Sequence, residues 1–204
     1  ADASKRLEGA AGVNACDDAI AQESDAIRKV ELKLARAVHE IELKNYDLAL
    51  ADIDHADAFA GSKAVERGYA QSVKISELEL QAAILVRQNR PAEAEQTALK
   101  MVALAPYDLV TLNRAYPYVV LTPEMSPAKQ AYFDLFGRMS TPGLIARSEA
   151  RQWAGDYAGA AGDYETLLQL LDGFIIDKKI ARSYSVLARL SLLYQFAGDT
   201  AKSN

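Results

Sequence analysis

Few side chains in this sequence have the types and spacing that catalysis or metal binding requires. The two histidines are the first candidates, because His39 and Glu42 lie one helical turn apart and could share a metal ion. A structural zinc site needs about four ligands, and no others converge on this pair in the sequence. His55 lies among aspartates and is expected to be a solvated histidine. We therefore predict no metal site and no cofactor.

Three other groups match fragments of known sites but lack their context. The aspartates at positions 47, 52, 54 and 57 lack the alternating spacing and central glycine of a calcium loop, so we expect them to line mostly the solvent side of a helix. The segment Gly61-Ser62-Lys63 has none of the surroundings of a serine nucleophile. Cys16, the single cysteine, lies on an apolar stripe with Val13 and Ile20, which favours a buried thiol. We predict no catalytic residue, and hence no enzyme.

Composition excludes further classes of function. The chain has 204 residues, half of them hydrophobic, and a net charge of −5. That charge argues against nucleic-acid binding, which needs a basic face. No apolar run approaches the ~20 residues of a membrane span. The residues from Ala1 to Ala3 suit a start after a small-residue cleavage site, so we expect a periplasmic or secreted location in the bacterial envelope, with the cytoplasm as the alternative.

The apolar residues are spaced as in helices almost throughout, and a short element recurs at four turns between them, at residues 44–49, 89–94, 155–160 and 198–203. Small residues stand at fixed distances before each turn and after it: Ala37, Ala82, Ser148 and Ser191 before, and Ala49, Ala94, Ala160 and Ser203 after. Small side chains in these positions let two antiparallel helices approach closely. A recurring helical hairpin is typical of a solenoid, in which each unit buries its apolar face against its neighbours.

These turns and small residues resemble the tetratricopeptide repeat, a 34-residue helix-turn-helix unit. Ala82, Ala94, Met101 and Pro106 fit one unit well, although the turns here are 45, 66 and 43 residues apart. The resemblance implies an all-α fold of nine to eleven helices, a right-handed solenoid of antiparallel helix-turn-helix hairpins in a single domain, residues 1–204. Its units would span residues 24–61, 63–106, a degenerate 107–141, 142–173 and an incomplete 181–204. Other helical-hairpin repeats, such as HEAT-like ones, are the alternative.

In the resembled family, ligands bind a concave groove lined by the first helix of each hairpin. The resemblance places nine residues in this groove, namely Leu34, Val38, Ile41, Glu79, Ala83, Val86, Ile145, Glu149 and Gln152, and it adds Ala188, Leu192 and Gln195 from the last helix. Leu34 and Val38 occupy positions where family members that clamp a peptide carboxylate carry basic and asparagine residues. An apolar groove suits an amphipathic helix or an extended apolar peptide. The alternative is that the chain's own helices fill it.

The segment from Pro106 to Pro142 is irregular, with five of the six prolines. Ser126-Pro127 and Thr141-Pro142 each read as a helix cap followed by a first-turn proline. The segment is also aromatic, with Tyr107, Tyr116, Tyr118, Tyr132, Phe133 and Phe136. These rings either fill an irregular hairpin or form a recognition pocket, for which Tyr107, Tyr116 and Tyr118 are the candidates.

The leading hypothesis is a non-catalytic protein–protein interaction scaffold, whose partner is another protein or peptide that the sequence does not identify. One alternative is a homo-oligomeric structural module, with a homodimer formed through the C-terminal helices. The other is an enzyme or small-ligand binder that uses the aromatic region, residues 107–136. The last helix motivates the homodimer, because its apolar residues Val186, Leu187, Leu190, Leu193 and Tyr194 are expected to lack the cover of a following helix.

Overall fold

The computed structural model describes residues 8–62, 65–174, 181–199 and 202, and within these ranges it contains ten helices and no strand. The helices are α1 (Gly9–Gln22), α2 (Ala26–Glu42), α3 (Tyr46–Ala60), α4 (Arg67–Arg87), α5 (Pro91–Leu104), α6 (Leu109–Val119), α7 (Pro127–Met139), α8 (Thr141–Trp153), α9 (Tyr157–Phe174) and α10 (Ala181–Ala197). The all-α prediction is confirmed.

The helices belong to two compact units. Unit 1 comprises residues 1–106 and 113–122, and unit 2 comprises residues 107–112 and 123–204, so that α6 contributes residues to each. In unit 1, α1 packs on α2, α2 pairs with α3, α4 pairs with α5, and α4 also contacts α2 and α3. In unit 2, α8 packs between α7 and α9, and α9 also packs on α10.

The four turns identified in the sequence share one backbone conformation. Lys44, Asn89, Gly155 and Gly198 follow α2, α4, α8 and α10, and all have a positive φ between 58° and 79°. After each of them, the next N–H donates to the carbonyl five residues earlier, as from Asn45 to Glu40 at 2.8 Å. This bond is typical of the Schellman motif, which closes the end of a helix with a left-handed residue. Glycine adopts that φ without strain and asparagine tolerates it, whereas at Lys44 the Cβ makes this backbone conformation less favourable.

The small residues on either side of the turns lie where helices contact each other. Six of them have no exposed surface, namely Ala37, Ala49, Ala82, Ala94, Ser148 and Ala160. Ser191 is half-buried, and Ser203 lies outside the described residues. The two hairpins of unit 1 and the α8–α9 hairpin of unit 2 therefore close on small side chains, as the sequence predicts.

One predicted cap is wrong by a residue. The Ser126 side chain accepts the N–H of Lys129 and caps α7, as predicted. At the next helix, however, Ser140 and not Thr141 is the cap, because its hydroxyl accepts the Gly143 N–H at 3.0 Å. The corner between α7 and α8 also explains Gly143, since a Cβ there would lie 1.9 Å from the Phe136 carbonyl oxygen. The sequence signal for this corner thus begins one residue before the Thr-Pro pair.

Candidate functional site

Helices α8 and α10 of unit 2 expose the residues that the sequence assigns to a binding groove. On α8, Ile145 is exposed, and Glu149 and Gln152 are partly exposed on the same face. On α10, Ala188, Leu192 and Gln195 are exposed, while the opposite face is buried against α9. Within the described residues, α8 forms a hairpin with α9, and α10 packs on the same helix α9.

A cleft of about 490 Å³ lies between these helices. It is lined by Gln152, Tyr157, Ala188, Arg189, Leu192, Leu193 and Phe196. Leu192 is 52% exposed and Phe196 is 67% exposed, so apolar side chains at the cleft remain open to solvent. We call this surface the α8/α10 cleft. Its volume falls within the range of about 300–1,000 Å³ that is usual for ligand sites.

The turn between α8 and α9 positions the aromatic side of the cleft. The Asp156 carboxylate accepts the N–H of Gly159 at 2.9 Å and thereby caps α9 just before its first residue, Tyr157. The Tyr157 ring then lies 5.3 Å from the Phe196 ring, measured between centroids, with 31° between their planes. This contact joins the start of α9 to the end of α10, so the two rings form one continuous apolar surface.

Helix α10 is fixed to α9 by its buried face. Leu190, Leu193 and Tyr194 are buried in one cluster with residues of α9, and the Tyr194 hydroxyl donates a hydrogen bond to the Glu165 carboxylate. Burial and this bond raise the pKa of Tyr194 to about 12. The same bond lowers the pKa of Glu165. The expectation that these three residues lack cover is therefore wrong, since α9 covers them, whereas Leu187 is 48% exposed.

Charged side chains of both signs lie side by side at the cleft. Arg189 of α10 lines it, and its Nη2 atom lies 3.9 Å from Oε1 of Glu149 on α8. The Arg189 side chain is 51% exposed and that of Glu149 is 30% exposed. Because this distance exceeds that of a hydrogen bond, the two groups form a loose, solvent-accessible ion pair.

In unit 1, the predicted groove residues lie in several environments. Ile41 is buried in the cluster that includes Ala37, Ile53 and Ile84, so it belongs to the core and not to an accessible groove. Four of the others are partly buried, namely Leu34, Val38, Glu79 and Ala83, and Val86 is exposed. Leu34 and Ala83 pack against core clusters, and Glu79 accepts the Nε–H of Arg114 at 2.8 Å. The predicted groove of unit 1 is thus partly occupied by the unit's own side chains.

The aromatic residues of the irregular segment have different roles. Tyr132, Phe133 and Phe136 are buried in unit 2, where the Tyr132 ring packs 5.2 Å from Phe133 and 5.6 Å from Phe136. The Tyr132 hydroxyl donates to the Leu112 carbonyl at 2.9 Å, so these three rings fill the core of that unit.

The three tyrosines proposed for a pocket lie elsewhere. Tyr107 is 79% exposed in unit 2, whereas Tyr116 and Tyr118 are half-buried in unit 1. Burial raises the pKa of the Tyr118 hydroxyl, Glu79 adds to this, and the positive charges of Arg114 and Arg87 oppose it.

Two ion pairs, each with a buried aspartate and a partly buried arginine, were not recognised in the sequence. Arg36 of α2 donates to both carboxylate oxygens of Asp52 on α3, at 2.8 and 2.6 Å, and Arg147 of α8 binds Asp163 of α9 in the same way. Asp52 is 4% exposed, so its assignment to a solvent-facing row of aspartates is wrong. In both hairpins the arginine precedes the aspartate by 16 residues. That repeated spacing is the signal that could have revealed the pairs.

The histidine and the cysteine considered for chemistry, His39 and Cys16, are both packed against neighbouring residues. His39 Nδ1 lies 3.2 Å from the Glu42 carboxylate, and α1 packs so closely on the His39 ring that a Cβ at Gly12 would meet it at 2.6 Å. Cys16 is partly buried, which raises the pKa of its thiol, while the charge of Arg36 opposes this. Within residues 8–62, 65–174, 181–199 and 202, no three potential metal ligands cluster, and no helix has the length and apolar character of a membrane span.

Comparisons with protein-family models, with curated proteins and with solved structures find no match for this chain.

Proposed function

We propose that this protein is a non-catalytic scaffold of tetratricopeptide-type hairpins, and that it binds a peptide or helix of another protein in the α8/α10 cleft. The observation that supports this most strongly is the coincidence of two independent results. The resemblance in sequence assigns Gln152, Ala188 and Leu192 to a groove, and the same three residues line the cleft.

The chemistry of the cleft suits a peptide. Leu192 and Phe196 are more than half exposed, and large apolar side chains grouped at an open surface are typical of protein interaction sites. An amphipathic helix or an extended apolar segment buries such side chains by placing its own apolar residues between two helices. Gln152 and Arg189 supply polar contacts at the edge, which would fix the orientation of the segment.

The experiment compares two leucines of similar exposure. Leu192 in the cleft is 52% exposed, and Leu48 at the start of α3 in unit 1 is 56% exposed. Proteins captured from an extract of the source organism by the parent chain are quantified by mass spectrometry and compared with those captured by Leu192→Arg and by Leu48→Arg. We expect Leu192→Arg to lose a specific protein at least about tenfold, the effect of 1.4 kcal/mol, and Leu48→Arg to retain it.

Stability is measured on the same variants. Both substitutions replace exposed residues, so their melting temperatures should remain close to that of the parent. If both variants capture the same proteins as the parent, the cleft is not the binding surface and the proposal fails.

A further inference from the structure

We propose that, in the isolated protein, a second copy of this chain occupies the α8/α10 cleft, so that two copies pair through this surface in a two-fold arrangement. This inference rests on the proposed function, because it takes the cleft to be a docking surface and names what covers it when another protein does not. The pairing would regulate the site, since a partner protein must compete with the second copy.

Charge complementarity carries the inference. The cleft has a cation and an anion next to each other, because Arg189 on α10 and Glu149 on α8 lie 3.9 Å apart. A partner of one charge sign is attracted by one of these groups and repelled by the other. A two-fold axis that passes near the pair instead places Arg189 of each copy against Glu149 of the other. A two-fold interface uses the same patch on both subunits, so the patch must be complementary to itself.

The apolar residues beside this charged pair support the same occupant. Leu192 and Phe196 are exposed next to Arg189, and the Phe196 ring packs on Tyr157. In a two-fold pair these side chains meet their own counterparts and are removed from water. The interface would be formed by single faces of two helices, so we expect an association weaker than that of an obligate dimer, which buries more than about 2,000 Å².

The test uses two charge-reversed variants, Glu149→Arg and Arg189→Glu. In Glu149→Arg, positions 149 and 189 are both positive, and in Arg189→Glu they are both negative. The 3.9 Å ion pair within each chain is therefore lost in both variants. Two copies of the same variant repel each other at both contacts. A mixture of the two variants restores both contacts, because a positive position on one chain always faces a negative position on the other.

The readout is the average mass from sedimentation equilibrium between about 10 µM and 1 mM, a range that detects weak association. We expect the parent to rise from 22.2 kDa toward twice that mass. Each variant alone should remain near 22.2 kDa, and the equimolar mixture should rise as the parent does. Leu192→Arg should abolish the rise and Leu48→Arg should preserve it.

Three outcomes would overturn the inference: a parent that stays monomeric at 1 mM, a mixture that associates no more than its components, or a Leu192→Arg variant that still dimerises. The proposed function would survive each of them if Leu192→Arg still lost its captured protein. The opposite result is also possible: the chain dimerises as expected, but Leu192→Arg captures the same proteins as the parent. That result would support self-association through the cleft and contradict the binding of another protein there.

Discussion

Replacing Ala94 with leucine tests whether the small residues beside the turns control the packing of the hairpins. Ala94 lies in the first turn of α5, has no exposed surface and is in the hairpin that α5 forms with α4. A leucine adds three carbon atoms where there is no room for them, so α4 and α5 must separate or the side chain must adopt a strained rotamer. Such overpacking costs about 1–3 kcal/mol. For a chain of this length, that lowers the melting temperature by about 2–12 °C.

Ala103 provides a matched control, because it lies in the same helix and is exposed. Ala103→Leu makes the same chemical change with the same small effect on helix propensity, so its stability should stay within about 0.5 kcal/mol of the parent. Thermal unfolding followed by circular dichroism at 222 nm, together with urea unfolding, measures both variants. Equal midpoints for Ala94→Leu and Ala103→Leu would show that position 94 is not a close helix contact.

Three further predictions concern the turns, the groove of unit 1 and a buried carboxyl. Gly155→Ala should destabilise the protein by about 1–2 kcal/mol, because φ is +78° there. Gly162→Ala should stabilise it by about 0.8–1 kcal/mol, because Gly162 lies within α9 and a Cβ there meets no other atom. Urea midpoints that shift in the same direction for both variants would contradict this. On α2, Ile41→Arg should destabilise the protein by about 3–5 kcal/mol, because it buries an unpaired charge. Val38 is half-buried, so Val38→Arg should cost less than about 1 kcal/mol. A large fall in melting temperature for Val38→Arg would place Val38 in the core. Burial raises the pKa of Glu77 above its ordinary value of 4.5, and the charge of Lys74, 2.9 Å away, offsets only part of this rise. The proton is therefore bound more tightly in the folded state, and the stability that it contributes is full below pH 4.5 and is lost as the pH rises through the raised pKa. Glu77→Gln removes this dependence, so its melting temperature relative to the parent should increase between pH 4.5 and pH 7, and a constant difference would be evidence against the mechanism.

The hairpins could be predicted from the sequence because their signals are local. The recurring turn element, the small residues on either side of it and the prolines in first helical turns are all recognised from residues close to one another in the chain. The repeated element placed the turns that contain Lys44 and Asn89, but it did not predict a positive φ for either residue, since neither is a glycine. The structure gives both of them the same left-handed backbone as Gly155.

The ion pairs of the two buried aspartates could not be predicted from local patterns. Asp52 and Asp163 look like ordinary helix-surface aspartates until a second helix brings an arginine against them. Because a carboxylate alone would be costly to bury, the arginines of the preceding helix account for the position of each aspartate: Arg36 for Asp52, and Arg147 together with Arg151 for Asp163. The repeated distance between Arg36 and Asp52 and between Arg147 and Asp163 contained this information, but only a comparison of the two hairpins reveals it.

The exposure of the residues assigned to a groove could be predicted only in part. The register put Leu192 on a side of α10 that is exposed and Gln152 on a side of α8 that is partly exposed, because the exposed stripe of a helix follows from its period. It did not separate Ile41 from Val38, since both lie near the boundary between the core and the exposed side of α2. How far the neighbouring helices α3 and α4 cover such a boundary depends on tertiary packing.

The most direct test of the proposed function places a photoreactive benzoylphenylalanine in the α8/α10 cleft. Ala188 lines the cleft and is exposed, and Ala51 on α3 is an exposed alanine in unit 1 that serves as the matched control. After irradiation in an extract of the source organism, we predict a discrete cross-linked adduct with a second protein from position 188 and none of that adduct from position 51. The same adducts from both positions, or none from position 188, would contradict the claim that this cleft binds a protein partner.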